Sequence, residues 1–440
     1  MTVRSISPTV NSRGLATPRS VYFEAAAPRP QAPPLQGRQR ARIGVLGAGL
    51  TGCSAALHLA ETIDDVVLIE AGVVGAGASG RNGGQLCSGL PSGVLALERH
   101  CGEATSRQLW ALAEQAKQRV HDLARRYRID YRFRPGNLAA AETHGQLRHL
   151  LDEAGHLRDH YDYPGIEPVD RAALGTLVDT PLYVGGVLDR HGGHLDPLAL
   201  TRGLADAAVA RGARLYEGSP ALRVELDGRP RVRTASGELE CDRLLVCTGA
   251  YLQGAVLPVM SGGLLPIVSF VGATAPLPES VAKALMPFAG SVYSTARPID
   301  YYRLDAQGRL LFGSGSALFD LCAEQRRWRL RRRMLRVFPR LRGLSEAGFA
   351  HVWSGRVGVT RNRLLDFGRL GDRVWYARGY SGHGVALAVE AGWMLADKVA
   401  GHGASFDLVA SLPTRPFPGR VLGRAWASWV HLLRGQMASR

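Results

Sequence analysis

Apolar residues arrive in short unbroken runs from Arg42 onward. IGVLGAG (43–49) and VVLIEA (66–71) are continuous rather than alternating, which predicts strands buried on both faces. Between them LTGCSAALHLAE (50–61) reads as a helix. Strand, glycine turn, helix and strand in that order predict the opening of a doubly wound α/β sheet. Residues 91–180 change to a mainly helical pattern, as in SRQLWALAEQAKQRVHDLARRY (106–127). The α/β pattern resumes at LDPLALTRGLADAAVARGARLYE (195–217), a helix followed by a strand. RVELDGRPRVRT (223–234) and GELECDRLLVCTGA (237–250) read as short strands with turns at Asp227-Gly228 and Ser236-Gly237. Strands then alternate with one basic helix from about 262 to 350. GYSGHGVALAVEAG (379–392) opens a long helix that ends near Gly401.

This order predicts a discontinuous Rossmann-type domain from residues 39–90, 190–260 and 350–405. A second α+β domain takes 91–189 and 261–349. Residues 1–38, rich in proline and polar groups, are expected to be disordered or extended. The C-terminal segment 406–440 contains GRAWASWVHLLRG (423–435), an amphipathic basic helix by pattern, expected to dock on the protein's own surface rather than on a membrane.

Composition alters the picture in two places. The formal net charge of +16 raises nucleic acid or an anionic membrane as partners. The densest basic run, QRRWRLRRRMLRVFPRLRG (325–343), reads better as an amphipathic surface helix with Trp328, Leu335 and Phe338 on its apolar stripe. No nucleic-acid role and no membrane contact are therefore expected. The cysteines, at 53, 87, 101, 241, 247 and 322, form no CxxC pair and no zinc spacing, so a cytoplasmic protein without a metal is expected.

The candidate chemistry lies in four glycine-rich stretches. Gly47-x-Gly49-x-x-Gly52 follows a strand and opens a helix. Its glycines allow a tight turn, close approach to a pyrophosphate, and close helix–strand packing. Glu70, at the end of the next strand, is placed to accept hydrogen bonds from ribose hydroxyls. GAGASGRNGGQL (75–86) lets backbone lie against a flat ligand, and Ser79 and Asn82 can add hydrogen bonds. Arg81 is open between a phosphate contact and an ordinary surface position. LLVCTGAYL (244–252) ends a strand in Thr248-Gly249. The glycines before the last long helix clear bulk from its N-terminus, whose free N–H groups suit a carbonyl or anion. His383 in that turn is placed to donate a hydrogen bond, to handle protons, or simply to hold the turn.

Together these residues resemble the D-amino-acid oxidase/glycine oxidase superfamily of FAD proteins, in its gamma-glutamylputrescine oxidase-like branch. SVYFEAAAP (20–28), FRPGNL (133–138), LDRHGGHLDPLAL (188–200), DYYRL (300–304) and LPTRPFPG (412–419) agree with it. The resemblance implies a non-covalent FAD beside a second domain with a mixed sheet. It implies oxidation of a small-molecule amine by hydride transfer to flavin, with O2 or an electron carrier as acceptor. By motif position it assigns FAD contacts to Gly47, Gly49, Leu50, Thr51, Gly52, Glu70, Ala71, Ala78, Ser79, Asn82, Gly83, Gly84, Gln85, Ala221, Thr248, Gly249, Tyr380, Ser381, Gly382, His383 and Gly384. Tyr301, Tyr302, Arg303 and Arg356 are substrate-site candidates, and strand alternation allows only one of the two tyrosines to face the ring. The family's Asp-Arg-Leu-Pro reads Asn362-Arg363-Leu364-Leu365 here. No catalytic base is assigned. A dehydrogenase, and a basic binding protein with a non-catalytic dinucleotide fold, are the alternatives.

Overall fold

A computed structural model describes residues 19–252, 254–344, 348–414 and 416–417. The predicted helix at 423–435 and the first part of the N-terminal segment lie outside the described residues.

Two sheets organise the chain. The first runs Asp366–Leu370, Val374–Arg378, Gly237–Val246, Gly37–Leu46, Val66–Ile69, Arg214–Tyr216. Four of the five pairings along this order are parallel, and that of Asp366–Leu370 with Val374–Arg378 is antiparallel. The hairpin Arg223–Glu225 and Arg231–Arg233 extends from Gly237–Val246. Val66–Ile69 is buried along its whole length, as its unbroken apolar run requires. The helix Leu50–Ala60 is buried almost all round, because the sheet lies on one side and the helix Gly384–Val399 on the other. These two helices touch at a glycine: a Cβ on Gly392 would sit 2.5 Å from Ser54 Cβ and from the Thr51 carbonyl. Ser54 Oγ donates to the Val389 carbonyl at 2.6 Å across the same contact.

The second sheet runs Phe349–Val359, Leu265–Pro276, Arg309–Ala317, Asp300–Leu304, Ser291–Ser294, Arg134–Ala141, Gly185–His194, Gln85–Leu86. Ile166–Val169 pairs beside Gly185–His194. Ser291–Ser294 and Arg134–Ala141 run parallel among antiparallel neighbours, so the sheet is mixed. One face packs on the arginine-rich helix Ala323–Val337 through Leu330, Met334 and Val337.

Three sequence expectations change. Trp328 is 62 % exposed, so the stripe of the basic helix is Leu330, Met334 and Val337, with Phe338 buried just past its end. Spacing alone could not choose between two rows on the same helix. The segment before residue 38 is not wholly extended. Ser20 caps the helix Val21–Ala25, and Val21, Tyr22 and Leu35 are buried. Finally, Phe349–Val359 pairs with Leu265–Pro276, and Gly185–His194 with Arg134–Ala141. Both strands thus belong to the second sheet, one spanning the expected division at 190 and the other lying almost wholly past that at 350.

Candidate active site

The carboxyl ends of the first sheet face the inner side of the second. Between them lies a cavity of about 1750 Å³. A pocket for an ordinary small ligand holds about 300–1,000 Å³, so this one has room for a dinucleotide and a further molecule.

At one end the turn Gly47–Gly52 is shaped by backbone constraints. Gly47 has φ +104, and a Cβ on Gly52 would lie 1.8 Å from the Gly47 carbonyl. The N-cap residue Gly49 gives the following helix no side-chain bond, and Ser79 Oγ accepts from the Leu50 N–H at 2.9 Å. Glu70 closes the turn from the neighbouring strand. Its carboxylate accepts from Ala48 N–H at 2.8 Å and Gly72 N–H at 2.9 Å. Burial pushes this carboxyl upward, and those two backbone bonds pull it back.

The second glycine loop is held from within and from the second sheet. Asn82 Oδ1 accepts from Gly84 N–H at 2.8 Å, and its amide donates to the carbonyls of Ser79 and Ala78. Arg81 is neither a surface residue nor free for a phosphate. Its guanidinium donates to the carbonyls of Gly77 at 3.1 Å, Ser354 at 2.7 Å, and Ala76. Trp353 Nε1 donates to the Arg81 carbonyl at 2.7 Å.

At the third corner Gly379, Ser381 and Gly382 all have positive φ, and the helix Gly384–Val399 starts beside the cavity. His383 Nε2 donates to the Ser88 carbonyl at 3.0 Å, and burial holds the imidazole below its ordinary value, hence neutral. Of its three sequence roles, the structure shows the one that holds the turn. Thr51 Oγ1 and Tyr380 Oη lie 2.7 Å apart, joining the N-termini of the two long helices.

All the cofactor candidates line the cavity except Gly52 and Gly84. Those two are packed instead: a Cβ on Gly84 would meet the Leu195 carbonyl at 2.1 Å. Gly249 and Gly382 are the reverse case. Both have positive φ, both line the cavity, and a Cβ on either would meet no protein atom within 4 Å. A long cavity edged by bare glycines and helix N-termini is a cradle that fits a flavin dinucleotide.

Among the substrate candidates, Tyr301 and Arg356 line the cavity. Tyr301 packs between Gly83 and Gly313, and its hydroxyl lies 3.2 Å from Ser269 Oγ. Arg356 N–H donates to Tyr251 Oη at 3.0 Å. Tyr302 and Arg303 do not reach it, which corrects the sequence expectation. Tyr302 points into the other face, stacked on Phe312 with its ring centroid 5.7 Å away. Arg303 is buried and donates to the Gly83 and Leu195 carbonyls and to Tyr22 Oη. Sequence reading missed Tyr251, Tyr293, Ser88, Tyr163 and Asp189, which also line the cavity. Of these, Tyr251 and Asp189 stood in stretches singled out beforehand, LLVCTGAYL and LDRHGGHLDPLAL.

Comparison with known proteins agrees with this geometry. A family model described as FAD dependent oxidoreductase matches residues 42–398. The chain is 36% identical over 375 residues to the gamma-glutamylputrescine oxidoreductase of Escherichia coli (strain K12), covering 85% of this chain and 87% of that one. It is 33% identical over 412 residues to the probable oxidoreductase OrdL of Haemophilus influenzae, covering 92% and 93%. The crystal structure of glycine oxidase from Geobacillus kaustophilus superposes with a TM-score of 0.70 at 23% identity, over 85% of this chain and 98% of that one, a likeness of fold.

Proposed function

Because this chain belongs to the DAO family of FAD-dependent oxidoreductases, which act on the C–N bond of amines and amino acids, we propose that it oxidises an extended amine of the gamma-glutamylputrescine type. The observation that carries this reading is the size of the cavity: about 1750 Å³ leaves space beside the cofactor for a long substrate. Non-covalent FAD would lie along the glycine turns. Gly47, Gly49 and Thr51 would face its phosphates, and Glu70, Ala71 and Ala221 the adenosine end. Ser79, Asn82, Gly83, Gln85, Thr248, Gly249 and the Tyr380–Gly384 turn would surround the ring.

Bound there, the flavin supplies the acceptor for the hydride that leaves the carbon next to nitrogen. The chain's residues bind and orient. Tyr301 and Tyr251 bring rings and hydroxyls to the cavity from the second sheet and the Thr248 turn. Arg356 brings a positive charge suited to a carboxylate on the substrate. The N-terminus of the helix Gly384–Val399 places the positive end of its dipole at the cavity and favours negative charge there. The imine product hydrolyses to an aldehyde and ammonia or an amine. Molecular oxygen is the proposed final acceptor, leaving as hydrogen peroxide, and the cytosol the proposed compartment. All six cysteines are unpaired, and among the described residues no helix is long and apolar enough to cross a membrane.

The test is turnover of gamma-glutamylputrescine and shorter diamines by the holoenzyme, with peroxide measured alongside aldehyde. Equal yields support an oxidase. Aldehyde without peroxide, appearing only with an added quinone, replaces oxygen by a carrier.

A further inference from the structure

Along the cavity wall, four polar side chains close a hydrogen-bonded ring. Lys117, from the helix Glu103–Arg126, is 4% exposed. Its ammonium donates to Ser88 Oγ and, at 3.1 Å, to Tyr163 Oη, and it pairs with Glu114 Oε2 at 2.9 Å. Asp189, on Gly185–His194, accepts from Ser88 Oγ at 2.5 Å, from Tyr163 Oη at 2.7 Å and from His191 N–H at 2.9 Å. Ser88, Tyr163 and Asp189 line the cavity, whereas Lys117 and Glu114 are not part of its lining.

Such a ring has the parts of a proton relay. Its two hydroxyls donate and accept at once, and the buried cation holds both in place. Lys117 stands beside two carboxyls, Asp189 and Glu114, and burial pushes the Glu114 carboxyl upward against the pull of Lys117. A third, Glu153, lines the same wall, where it accepts from the Val94 N–H at 2.6 Å and is likewise pushed upward by burial. His383 is kept neutral by burial, and burial likewise opposes ionisation of Cys87, Tyr163 and Tyr293. His191 and Arg190 follow on the same strand and are exposed; the His191 imidazole packs edge-on against Tyr163, with ring centroids 5.4 Å apart, and Arg190 pairs with Glu167 at 2.5 Å. The ring thus reaches from the cavity toward solvent.

We propose that Asp189, through the hydroxyls of Ser88 and Tyr163, takes the proton that an alkylammonium substrate sheds on entering the cavity, with Lys117 as a positioning residue. This inference rests on the amine-oxidising reading above. An alkylammonium titrating near pKa ~10.4 is neutral in only about one molecule per thousand near neutral pH, and the neutral form alone has the lone pair that assists hydride loss. In the step, an N–H bond of the ammonium breaks and an O–H bond forms on the Asp189 carboxyl. No electrons change hands.

The probe is a tertiary-alkyl primary amine, which lacks a hydrogen on the carbon bearing nitrogen and so binds without reacting. Its binding to the holoenzyme is read from the shift in flavin absorbance. In the unsubstituted protein the affinity is expected to stay flat from about pH 7 to about pH 9, because the proton moves within the complex. In Asp189→Asn the affinity should rise about tenfold per pH unit, since only neutral amine binds. Tyr163→Phe should weaken binding several-fold near pH 7 and recover near pH 9, and it carries the test if Asp189→Asn fails to retain flavin. Flat profiles in both variants, even at reduced affinity, would mean that the ring merely pairs with an ammonium, and overturn the proposal. If no amine perturbs or bleaches the unsubstituted holoenzyme, the amine reading itself falls, and this inference with it.

Discussion

Arg303 Nε lies 2.9 Å from the carbonyl of Gly83, so a side chain of the second sheet holds the glycine loop that edges the cavity. The same guanidinium reaches the Leu195 carbonyl and Tyr22 Oη. Tyr22 in turn donates to the Asn82 carbonyl at 3.0 Å. An arginine that looks like a substrate ligand in sequence is a brace for the cofactor loop.

Arg303→Met should therefore weaken flavin retention before it touches substrate binding. The buried Leu195 carbonyl loses a charged donor, at about 1–3 kcal/mol, and the part-buried Gly83 carbonyl loses its brace. Gel filtration of the variant should yield protein with less flavin per chain, while the KM of the remaining holoenzyme changes little.

The glycines divide into two kinds that substitution can separate. Gly52→Ala drives a methyl to within 1.8 Å of the Gly47 carbonyl, and should cost the apoprotein about 3 kcal/mol or more. Gly382→Ala meets open space, and should cost the apoprotein only the strain of φ +96, about 1–2 kcal/mol. Its larger effect should be on flavin binding. Thermal melts of stripped protein, with flavin titrations beside them, distinguish the two.

Arg119 and Glu390 tie the helix Glu103–Arg126 to Gly384–Val399. Arg119 Nε lies 2.5 Å from a carboxylate that is wholly buried, and the guanidinium sits 4.0 Å over Trp393. Arg119→Met leaves that carboxylate unpaired and should cost about 3–5 kcal/mol. Burial already pushes Glu390 upward against the pull of Arg119. The variant should accordingly regain stability as pH falls and the carboxyl protonates. Arg119→Met with Glu390→Leu should recover most of the loss at neutral pH. Urea melts at two pH values check all three.

Acid should destabilise the protein partly through His194. Burial lowers its pKa from 6.5 to about 3, with Arg303 adding to the shift. Below about pH 6.5 the unfolded chain binds a proton that the folded chain refuses. Stability therefore falls as pH drops from about 6.5 toward about 3, by at most ~1.4 kcal/mol per unit. His194→Gln keeps a donor for the Ala289 carbonyl, 3.0 Å away. It should flatten that part of the stability profile, measured by denaturant unfolding from pH 7 to pH 4.

Much of the cofactor end was legible because glycine turns are written locally. Gly47, Gly52 and Gly382 are forced by positive φ or by contacts a few residues away, and strand alternation put Tyr301 and Tyr302 on opposite faces. The other end of the cavity was not. Its wall joins Ser88, Tyr163 and Asp189, with Lys117 bonded behind them, from four separate segments, and no short-range pattern records such a meeting. The same limit hid the sheet partner of Phe349–Val359, since an apolar strand does not name its neighbour. The burial of Tyr22 depends on Arg303 and Trp353, some 300 residues further along the chain.

The visible absorption spectrum of purified, desalted protein tests the account most directly. Flavin bands should survive desalting, the chromophore should leave with acid, and anaerobic addition of gamma-glutamylputrescine should bleach them. Protein that stays colourless after FAD is supplied would contradict the assignment of the cavity to a flavin. Flavin that no amine bleaches would leave the cavity's cofactor in place and contradict its substrate.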